Sequence, residues 1–426
     1  MSDEKIASIF DLPEYKQYQS RWNTRLKELS LRASYYDGSV YRKIKDTIWG
    51  LGPRIGKEIK PLFLPLARAV DIDAGIIGGD WVFKPIQIEP KSEIWDEARD
   101  ILFDMSKWDV QGVLYVHYGA MYGVSGIRVC DEREEGKIEL QPARPTCFML
   151  VYEGDYSDRP SLAFWVEGKI DESGAQYEYA EVITETEIKT YKDGVPFGFD
   201  DRQPVEPNEQ GVIPIVEIVH INDGTELGEC TYQKSILLLN EVNDMATDLK
   251  EAIKANVKPQ WVISGAEPSD LKRGTDIMWF MPDPQSKVDP VTPTVDIAGV
   301  LEFIREIKEG VKESLPELSF DELKKAGQIA TATLELQLME LVIKMERVRP
   351  NYDRGLTTAM QMAGRAAQSM GLTDLYPLND PELILDPDRP VLPQMPQDKI
   401  SLRMQEIELE QMEEGRGNTE GTIPSA

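Results

Sequence analysis

The chain has 426 residues, and its 75 acidic and 47 basic side chains give a formal net charge of −28. Such an acidic chain is not expected to coat nucleic acid or to bind an anionic membrane, because both tasks need clustered lysine and arginine. The length suggests about two to four structural units, and no apolar run approaches the ~20 residues of a membrane span. The composition therefore predicts a soluble, folded protein made inside the cell.

Histidine and cysteine are too scarce for most catalytic or metal centres. His117 and His220 are the only histidines, and both lie in apolar stretches, which favours hydrogen-bonded positions in the core. Cys130, Cys147 and Cys230 are odd in number and widely spaced, so they predict neither a disulfide framework nor a zinc site. We interpret the cysteines as small buried hydrophobic residues in a reducing compartment.

Two further segments resemble binding loops but lack the necessary residues. Leu51 and Glu58 stand where a phosphate-binding loop needs glycine and a hydroxyl residue, so residues 50–58 are predicted to form a turn between two helices. Asp71 and Asp73 lack the other ligands of a calcium loop, which favours capping and turn roles. The sequence thus predicts no catalytic residue, no cofactor, no metal site and no enzymatic activity.

The N-terminal region differs in charge from the rest of the chain. Residues 14–60 hold eleven basic and five acidic side chains, a local charge of +6. The apolar spacing within residues 15–36 predicts an amphipathic helix, followed by a turn at Asp37 and Gly38. Its basic face is interpreted either as a solvated surface or as a surface that contacts acidic protein, such as a neighbouring subunit.

A second helix and a sheet are predicted next along the chain. Residues 92–108 have helical apolar spacing through Ile94, Trp95, Ala98, Ile101 and Leu102. Short β-like runs between turn signals then predict an antiparallel sheet, at residues 126–130, 147–152, 162–166 and 180–184. Residues 201–215 contain three prolines and are predicted to form a loop.

Two helices with continuous apolar stripes are the strongest pattern in the sequence. They are predicted at residues 235–254 and 296–315, where apolar residues recur every three or four positions. The helices bracket a small unit, residues 258–294, with β-like runs at 260–263 and 276–281. This order predicts a helical hairpin with a compact module at its tip. The stripes are Leu239, Val242, Ala246, Leu249 and Ile253 in the first helix, and Ile297, Val300, Ile304, Ile307 and Val311 in the second.

The module at the tip carries several large apolar side chains. They are Trp261, Trp279, Phe280 and Met281. So small a unit cannot bury all of them alone. We therefore expect them to contact another subunit or a partner protein.

A loop and a long helix are predicted after the hairpin. The loop spans residues 316–330, and the helix begins near Thr331 and ends at Gly371. Pro350 is expected to kink this helix, because proline removes a backbone donor and clashes with the preceding turn. The proline-rich tail is predicted to contain a short acidic helix at residues 398–414 and a disordered end.

Three stretches of local sequence resemble one protein family. The first stretch contains Trp22, Leu26, Leu29, Arg32, Tyr35, Tyr36, Asp37 and Gly38. The second contains Trp108 and Asp109, followed by Tyr118, Gly119, Tyr122 and Gly123. The third contains Gly228, Asn240, Asn243, Asp244, Asp248, Leu249, Lys258, Pro259 and Gly265. These stretches and the order of the elements resemble the portal proteins of tailed bacteriophages, in particular the portal family of long-tailed phages. The likeness extends over residues 10–410.

The resemblance implies an α+β portal fold and a ring oligomer, typically of twelve subunits, at one vertex of the capsid. Double-stranded DNA enters during packaging and leaves during ejection through the channel of such a ring. The regions that the resemblance implies are a wing (1–232), a first stem helix (233–257), a small α/β clip (258–294), a second stem helix (295–315), a tunnel loop (316–330), a long kinked wing or crown helix (331–375) and a reduced crown with a C-terminal tail (376–426).

Partners and location also follow from the resemblance. The implied partners are further copies of the chain, non-specific double-stranded DNA in the channel, the terminase large subunit, a head–tail adaptor, and the major capsid and scaffold proteins, with no membrane. The implied location is the portal vertex of the virion, after synthesis in the host cytoplasm. The clip side chains would contact the motor or adaptor. The tunnel loop would place near DNA the side chains of Leu323, Lys324, Lys325, Gln328 and Ile329.

The net charge is compatible with this role, since an acidic channel with few basic contacts lets DNA slide. Two other interpretations stay open. One is an oligomeric virion scaffold or adaptor protein without a DNA channel. The other is an uncharacterised intracellular enzyme.

Overall fold

The computed structural model combines helices and sheets, as the predicted α+β class requires. Seven α-helices and eleven strands occur in the part of the chain that the structure describes. That part comprises residues 7–42, 63–79, 90–133, 135–154, 159–171, 173–199, 203–257, 260–264, 287–291, 296–319 and 338–386.

Four helices precede the first strand: α1 (Gln19–Tyr36), α2 (Leu66–Ile77), α3 (Pro90–Met105) and α4 (Trp108–Tyr122). The first and third confirm the two helices predicted in this region. The chain turns after α1 at Gly38, whose φ of 71° glycine adopts without steric cost. Residues 50–58, predicted to form a turn, lie outside the described residues.

The sequence does not predict α4. Its apolar residues surround the helix and form no stripe: Val110 is 73% exposed, whereas Tyr115 and Val116 are buried. A helix with apolar residues on all sides gives no periodic signal.

Every strand pair in the described residues is antiparallel, as predicted. One sheet has the order β2–β1–β9, where β1 is Val124–Glu132, β2 is Lys137–Ala143 and β9 is Ile215–Val219. The larger sheet has the order β3–β4–β5–β6–β7, and β8 pairs with β6. Its strands are Phe148–Tyr152, Pro160–Ile170, Gln176–Ile183, Glu187–Lys192, Val195–Pro196 and Val205–Pro207. Because β8 lies within residues 201–215, the prediction of a loop there is wrong in part.

The predicted hairpin of two helices is present. It consists of α5 (Ile236–Val257) and α6 (Ile297–Ser314), and between them lies the antiparallel pair β10 (Gln260–Ser264) and β11 (Lys287–Val291). The first strand matches a predicted β-like run. The second was not predicted, since it contains Pro290, and the run predicted at residues 276–281 lies outside the described residues.

The long helix α7 (Met339–Met370) forms the centre of the largest hydrophobic core. It packs against β1, β2 and β9 and against the 3-10 helix Thr373–Asn379. The helix is continuous across Pro350 and ends as predicted at Gly371, whose φ is 76°. Its predicted start at Thr331 and the tail beyond residue 386 lie outside the described residues.

Candidate functional site: the helical hairpin and its root

The structure describes only some of the residues that the sequence singles out. The loop residues Leu323, Lys324, Lys325, Gln328 and Ile329 lie outside the described residues, as do Trp279, Phe280 and Met281. Trp261 is in β10, where its backbone is paired with Pro290 of β11. The proposed roles of these residues therefore stay predictions.

The apolar stripes of α5 and α6 face each other for most of their length. Leu239, Val242, Ala246 and Leu249 of α5 are buried, as are Ile304, Ile307 and Val311 of α6, and Val300 is half-buried. Ile253 departs from the predicted stripe, because it is 41% exposed.

Large apolar side chains also lie outside the contact between the two helices. Leu301 and Phe303 of α6 are 42% and 45% exposed, and Leu237 of α5 is 61% exposed. Two residues advance an α-helix by about 200°, so Leu301 and Phe303 lie on opposite flanks of the buried stripe. The hairpin therefore presents apolar surface on both of its sides.

We call residues 236–243 and 311–318 the hairpin root, and residues 244–253 and 297–310 the hairpin shaft. Asparagines fix the root to the N-terminal region. The amide of Asn240 accepts a hydrogen bond from the Tyr41 hydroxyl at 2.9 Å and donates one to the Tyr35 hydroxyl at 3.0 Å. Asn243 bonds the backbone of Phe63 through both its amide oxygen and nitrogen, at 3.0 and 3.1 Å. Because these groups are buried, each needs its partner, which gives two residues of the third sequence stretch a structural role.

A buried ionic cluster joins the root to α2 and α7. The Lys344 ammonium in α7 donates to the Glu317 carboxyl, just after α6, and its Nζ lies 3.7 Å from Oδ2 of Asp73 in α2. Both carboxyl side chains are fully buried. Burial opposes the charge of Lys344, but the two neighbouring carboxyls outweigh it and raise the pKa of its ammonium. Three elements distant in sequence are thus joined through charged groups.

A chain of hydrogen bonds leads to the same aspartate. The Thr231 hydroxyl donates to Asp73 and lies 3.0 Å from Nε2 of His220, whose Nδ1 lies 2.8 Å from the Tyr352 hydroxyl. Burial, assisted by Lys344, lowers the pKa of His220 to about 3, so the ring is neutral. Since the threonine proton goes to Asp73, Nε2 must carry the imidazole proton and Nδ1 must accept from Tyr352. In this series of hydrogen bonds, each donor therefore points toward Asp73: Tyr352 donates to His220, His220 to Thr231, and Thr231 to Asp73.

The position of Tyr352 depends on a glycine in α4. A Cβ atom on Gly119 would lie 1.9 Å from the Tyr352 hydroxyl, so only glycine leaves room for it. Gly119 belongs to the second sequence stretch that resembles the portal family. Packing against Tyr352 therefore explains why this stretch has a glycine at position 119.

The predicted roles of two acidic residues are wrong. Asp71 and Asp73 lie inside α2 and neither cap a helix nor form a turn. Asp73 is buried because its partners Thr231 and Lys344 come from distant parts of the chain.

The interpretation of His220 as a hydrogen-bonded core residue is confirmed. Glu317 and Lys344 were not predicted to be functional residues. The only sign of their burial in the sequence is that each is a charged residue beside apolar helix positions.

The basic face of α1 is used largely within the chain. Arg25 bonds Glu217 at 2.8 Å and Glu226 at 3.1 Å. Arg32 donates to the carbonyl oxygen of Tyr122, at the end of α4, and to Glu28. These two arginines are buried, so for them both interpretations of this face are wrong: they are neither solvated nor available to an acidic partner.

The cysteines are free thiols. Cys230 is buried, whereas Cys130 and Cys147 are half-buried, so the predicted burial is complete only for the first. Burial raises the pKa of Cys230 to about 11 and raises the pKa of both other thiols.

Neither a metal centre nor a membrane helix is found in the described ranges. Those residues contain no group of three or more His, Cys, Asp or Glu side chains placed to hold a metal ion. No helix among them is both long and apolar enough to cross a bilayer.

Comparison with known proteins gives one family and a set of solved structures. Residues 15–368 match the family described as "Phage portal protein, SPP1 Gp6-like". No curated protein matches the sequence. A chain in the structure "Virion of native gene transfer agent (GTA) particle" is 12% identical, with a TM-score of 0.39, over 93% of this chain and 96% of that one.

Two further solved structures are similar to a comparable degree. A chain of "Neck of empty GTA particle computed with C6 symmetry" is 13% identical, with a TM-score of 0.42, over 84% of this chain and 91% of that one. A chain of "Neck of native GTA particle computed with C12 symmetry" is 12% identical, with a TM-score of 0.42, over 77% and 82%.

Proposed function

Because the chain belongs to the SPP1 Gp6-like family of phage portal proteins, we propose that it forms a ring at one capsid vertex and that double-stranded DNA passes through the channel of this ring. The family match over residues 15–368 carries the proposal. The role is structural: the ring serves packaging and ejection, and provides the docking site for the terminase motor and the head–tail adaptor.

The exposed sides of the hairpin support assembly into a ring. A closed ring uses a heterologous interface, in which one surface of each subunit meets a different surface of the next. Leu301 and Phe303 supply apolar surface on opposite flanks of α6, and such side chains are costly to leave in water. The hairpin therefore suits contacts with two neighbours at once, as expected of stem helices.

The charge of the chain suits the passage of DNA. Strong phosphate contacts depend on clustered basic side chains, and the chain carries −28 overall. Lys324 and Lys325, in the proposed tunnel loop, then offer transient phosphate contacts, while Leu323 and Ile329 offer apolar contacts. The clip residues Trp261, Trp279, Phe280 and Met281 are proposed to contact a neighbouring subunit, the motor or the adaptor.

The proposal is tested by imaging and native mass measurement of the purified full chain. We expect rings of about twelve copies with a central hole. A variant with Leu301→Gln and Phe303→Gln should lose rings at least tenfold while keeping its helix content, because both side chains are exposed in the single chain. A control with Glu302→Gln and Glu306→Gln, which are exposed charged neighbours on α6, should assemble normally.

DNA content provides the second measurement. Particles assembled with the apolar double variant should package far less DNA than particles with the control. A compact monomer or dimer for the unmodified chain would contradict the proposal, as would full rings and normal packaging by the apolar double variant.

A further inference from the structure

The cluster of Asp73, Glu317 and Lys344 has an unbalanced charge. Two fully buried carboxyl groups face one ammonium group. Oδ1 of Asp73 and Oε2 of Glu317 are buried and have no hydrogen-bond partner among the described residues. A buried polar atom without a partner and an excess buried charge are both costly, so two ionised carboxyl groups are not expected beside one ammonium group.

We propose that Asp73 and Glu317 bind a single proton between them, and that this proton completes a joint that holds the hairpin root to α2 and α7. The proton sits on Glu317 and is donated to the Asp73 carboxylate. One ammonium, one carboxylate and one neutral carboxyl then give a cluster without net charge. The same proton supplies a partner for the two unpaired oxygens.

The surroundings of Glu317 favour its protonated form. Burial raises the pKa of Glu317 to about 8, the charge of Asp73 adds to this effect, and Lys344 opposes it. The hydrogen bond that the proposal places between the Glu317 and Asp73 carboxyl groups acts in the same direction on the pKa of Glu317. Three neighbouring titratable groups are neutral at pH 7. Burial lowers the pKa of His220, next to Thr231, to about 3, and raises the pKa values of Cys230, beside Lys344, and of Tyr352 on α7, which are already above 7.

The joint lies at a position that matters for the whole chain. Glu317 is in the 3-10 helix Pro316–Ser319 that follows α6, and Lys344 is in the first turns of α7. The contact between them therefore joins the C-terminal end of the hairpin to the N-terminal part of α7. Asp73 ties both points to α2.

The joint has a defined pH dependence. The pKa of Glu317 is higher in the folded chain, about 8, than the ~4.3 of an unfolded glutamate. The folded state therefore holds more protons between these values, and its stability falls as the pH rises from about 4.3 to about 8. One linked proton changes the unfolding equilibrium by up to tenfold per pH unit.

The test compares the full chain with Glu317→Gln and with Glu313→Gln. The first replaces the protonated carboxyl by a neutral isostere that can still donate to Asp73, and the second makes the same change at an exposed position on α6. Infrared spectra at pH 6.5 should show a carbonyl band of a protonated carboxyl in the unmodified chain and in Glu313→Gln. The band should be absent from Glu317→Gln. In the unmodified chain it should fall to about half its strength near pH 8 and vanish at higher pH.

Unfolding in urea gives the second measurement. Between pH 5 and pH 8, the unfolding equilibrium constant of the unmodified chain should rise at least tenfold more than that of Glu317→Gln. The constant of Glu313→Gln should rise by the same factor as that of the unmodified chain. Equal carboxyl bands in the unmodified chain and Glu317→Gln at pH 6.5 would overturn the proposal, as would parallel pH profiles of these two chains.

A second variant covers the case in which Glu317→Gln fails to fold. Asp73→Asn removes the neighbouring negative charge, so the carboxyl band should vanish at a pH at least one unit lower than in the unmodified chain. An unchanged titration would overturn the proposal. None of these measurements depends on ring formation or DNA, so the proposal can fail while the proposed function stands, and the reverse.

Discussion

The shaft and the root of the hairpin are built on opposite principles. In the described part of the shaft, one small apolar cluster of Ala246, Leu249 and Ile304 holds the two helices together, and large apolar side chains remain exposed on both flanks. The root is tied to α1, α2 and α7 by buried amide and ionic groups, and their partners described above lie in the same chain. The difference teaches that the buried polar groups of the root find their partners within one chain, whereas the shaft leaves Leu301 and Phe303 exposed, as Leu237 is in the first turn of α5.

The largest effect is expected where the ionic joint of the root is broken. Lys344→Met leaves Asp73 and Glu317 without their ammonium partner, and should destabilise the chain by about 3 kcal/mol, the lower part of the range for a broken buried ion pair, since Thr231 still donates to Asp73. Chemical denaturation of the purified chain measures it. Lys234→Met is the matched control, because Lys234 is 71% exposed and its pair with Glu229 contributes little. A loss no greater than that of the control would mean that the root is not held by this cluster.

A medium effect is expected where the hydrogen-bond chain meets α4. Gly119→Ala places a methyl group against the Tyr352 hydroxyl and should cost about 2 kcal/mol, as overpacked cores do. The cost should shrink in a Tyr352→Phe background, where the hydroxyl is gone, and a double-mutant cycle measures this coupling. Gly75→Ala in α2 is the control, since no atom lies within 4 Å of its added Cβ, and it should be neutral or stabilising by up to about 1 kcal/mol. Equal costs of Gly119→Ala in both backgrounds would refute the packing argument.

The smallest effect is expected at the outer end of the shaft. Ile253→Ala should change the stability of the isolated subunit by no more than about 0.5 kcal/mol, because the side chain is 41% exposed. Leu249→Ala, one turn nearer the root and buried, should cost about 2 kcal/mol. Denaturation of both variants under monomeric conditions makes the comparison. Similar losses would show that the stripe is buried along its full length, as the sequence predicts.

Periodic segments were the ones that the sequence predicted well. The alternating spacing from Leu239 to Leu249 and from Ile304 to Val311 identified both helices of the hairpin, because one buried face leaves a regular trace. Helix α4 leaves none, since Val110 and Leu114 are apolar and exposed. Strand β11 also escaped, because a proline within a short run argues against a strand.

The ionic joint could not have been predicted from local sequence. Asp73 and Thr231 are 158 positions apart, and Glu317 and Lys344 are 27 apart, so only the folded chain brings them together. Aspartate ordinarily favours a cap or a turn, and this residue type alone carries no sign of burial. The resemblance to the portal family identified Gly119 and Asn240 as part of a pattern, but their packing and hydrogen-bond roles are visible only in the folded chain.

Pro350 gives the long helix a mechanical property. Proline has no N–H, so the carbonyl of Glu346 lacks its partner within α7, and both residues are exposed, which leaves that carbonyl accessible to water. The helix is attached on each side of this turn, through Lys344 and through Tyr352, about 12 Å apart along its axis. Both attachments lead to Asp73. A bend of α7 at this turn would change the separation of Lys344 and Tyr352, and would therefore strain the hydrogen bonds that connect both residues to Asp73.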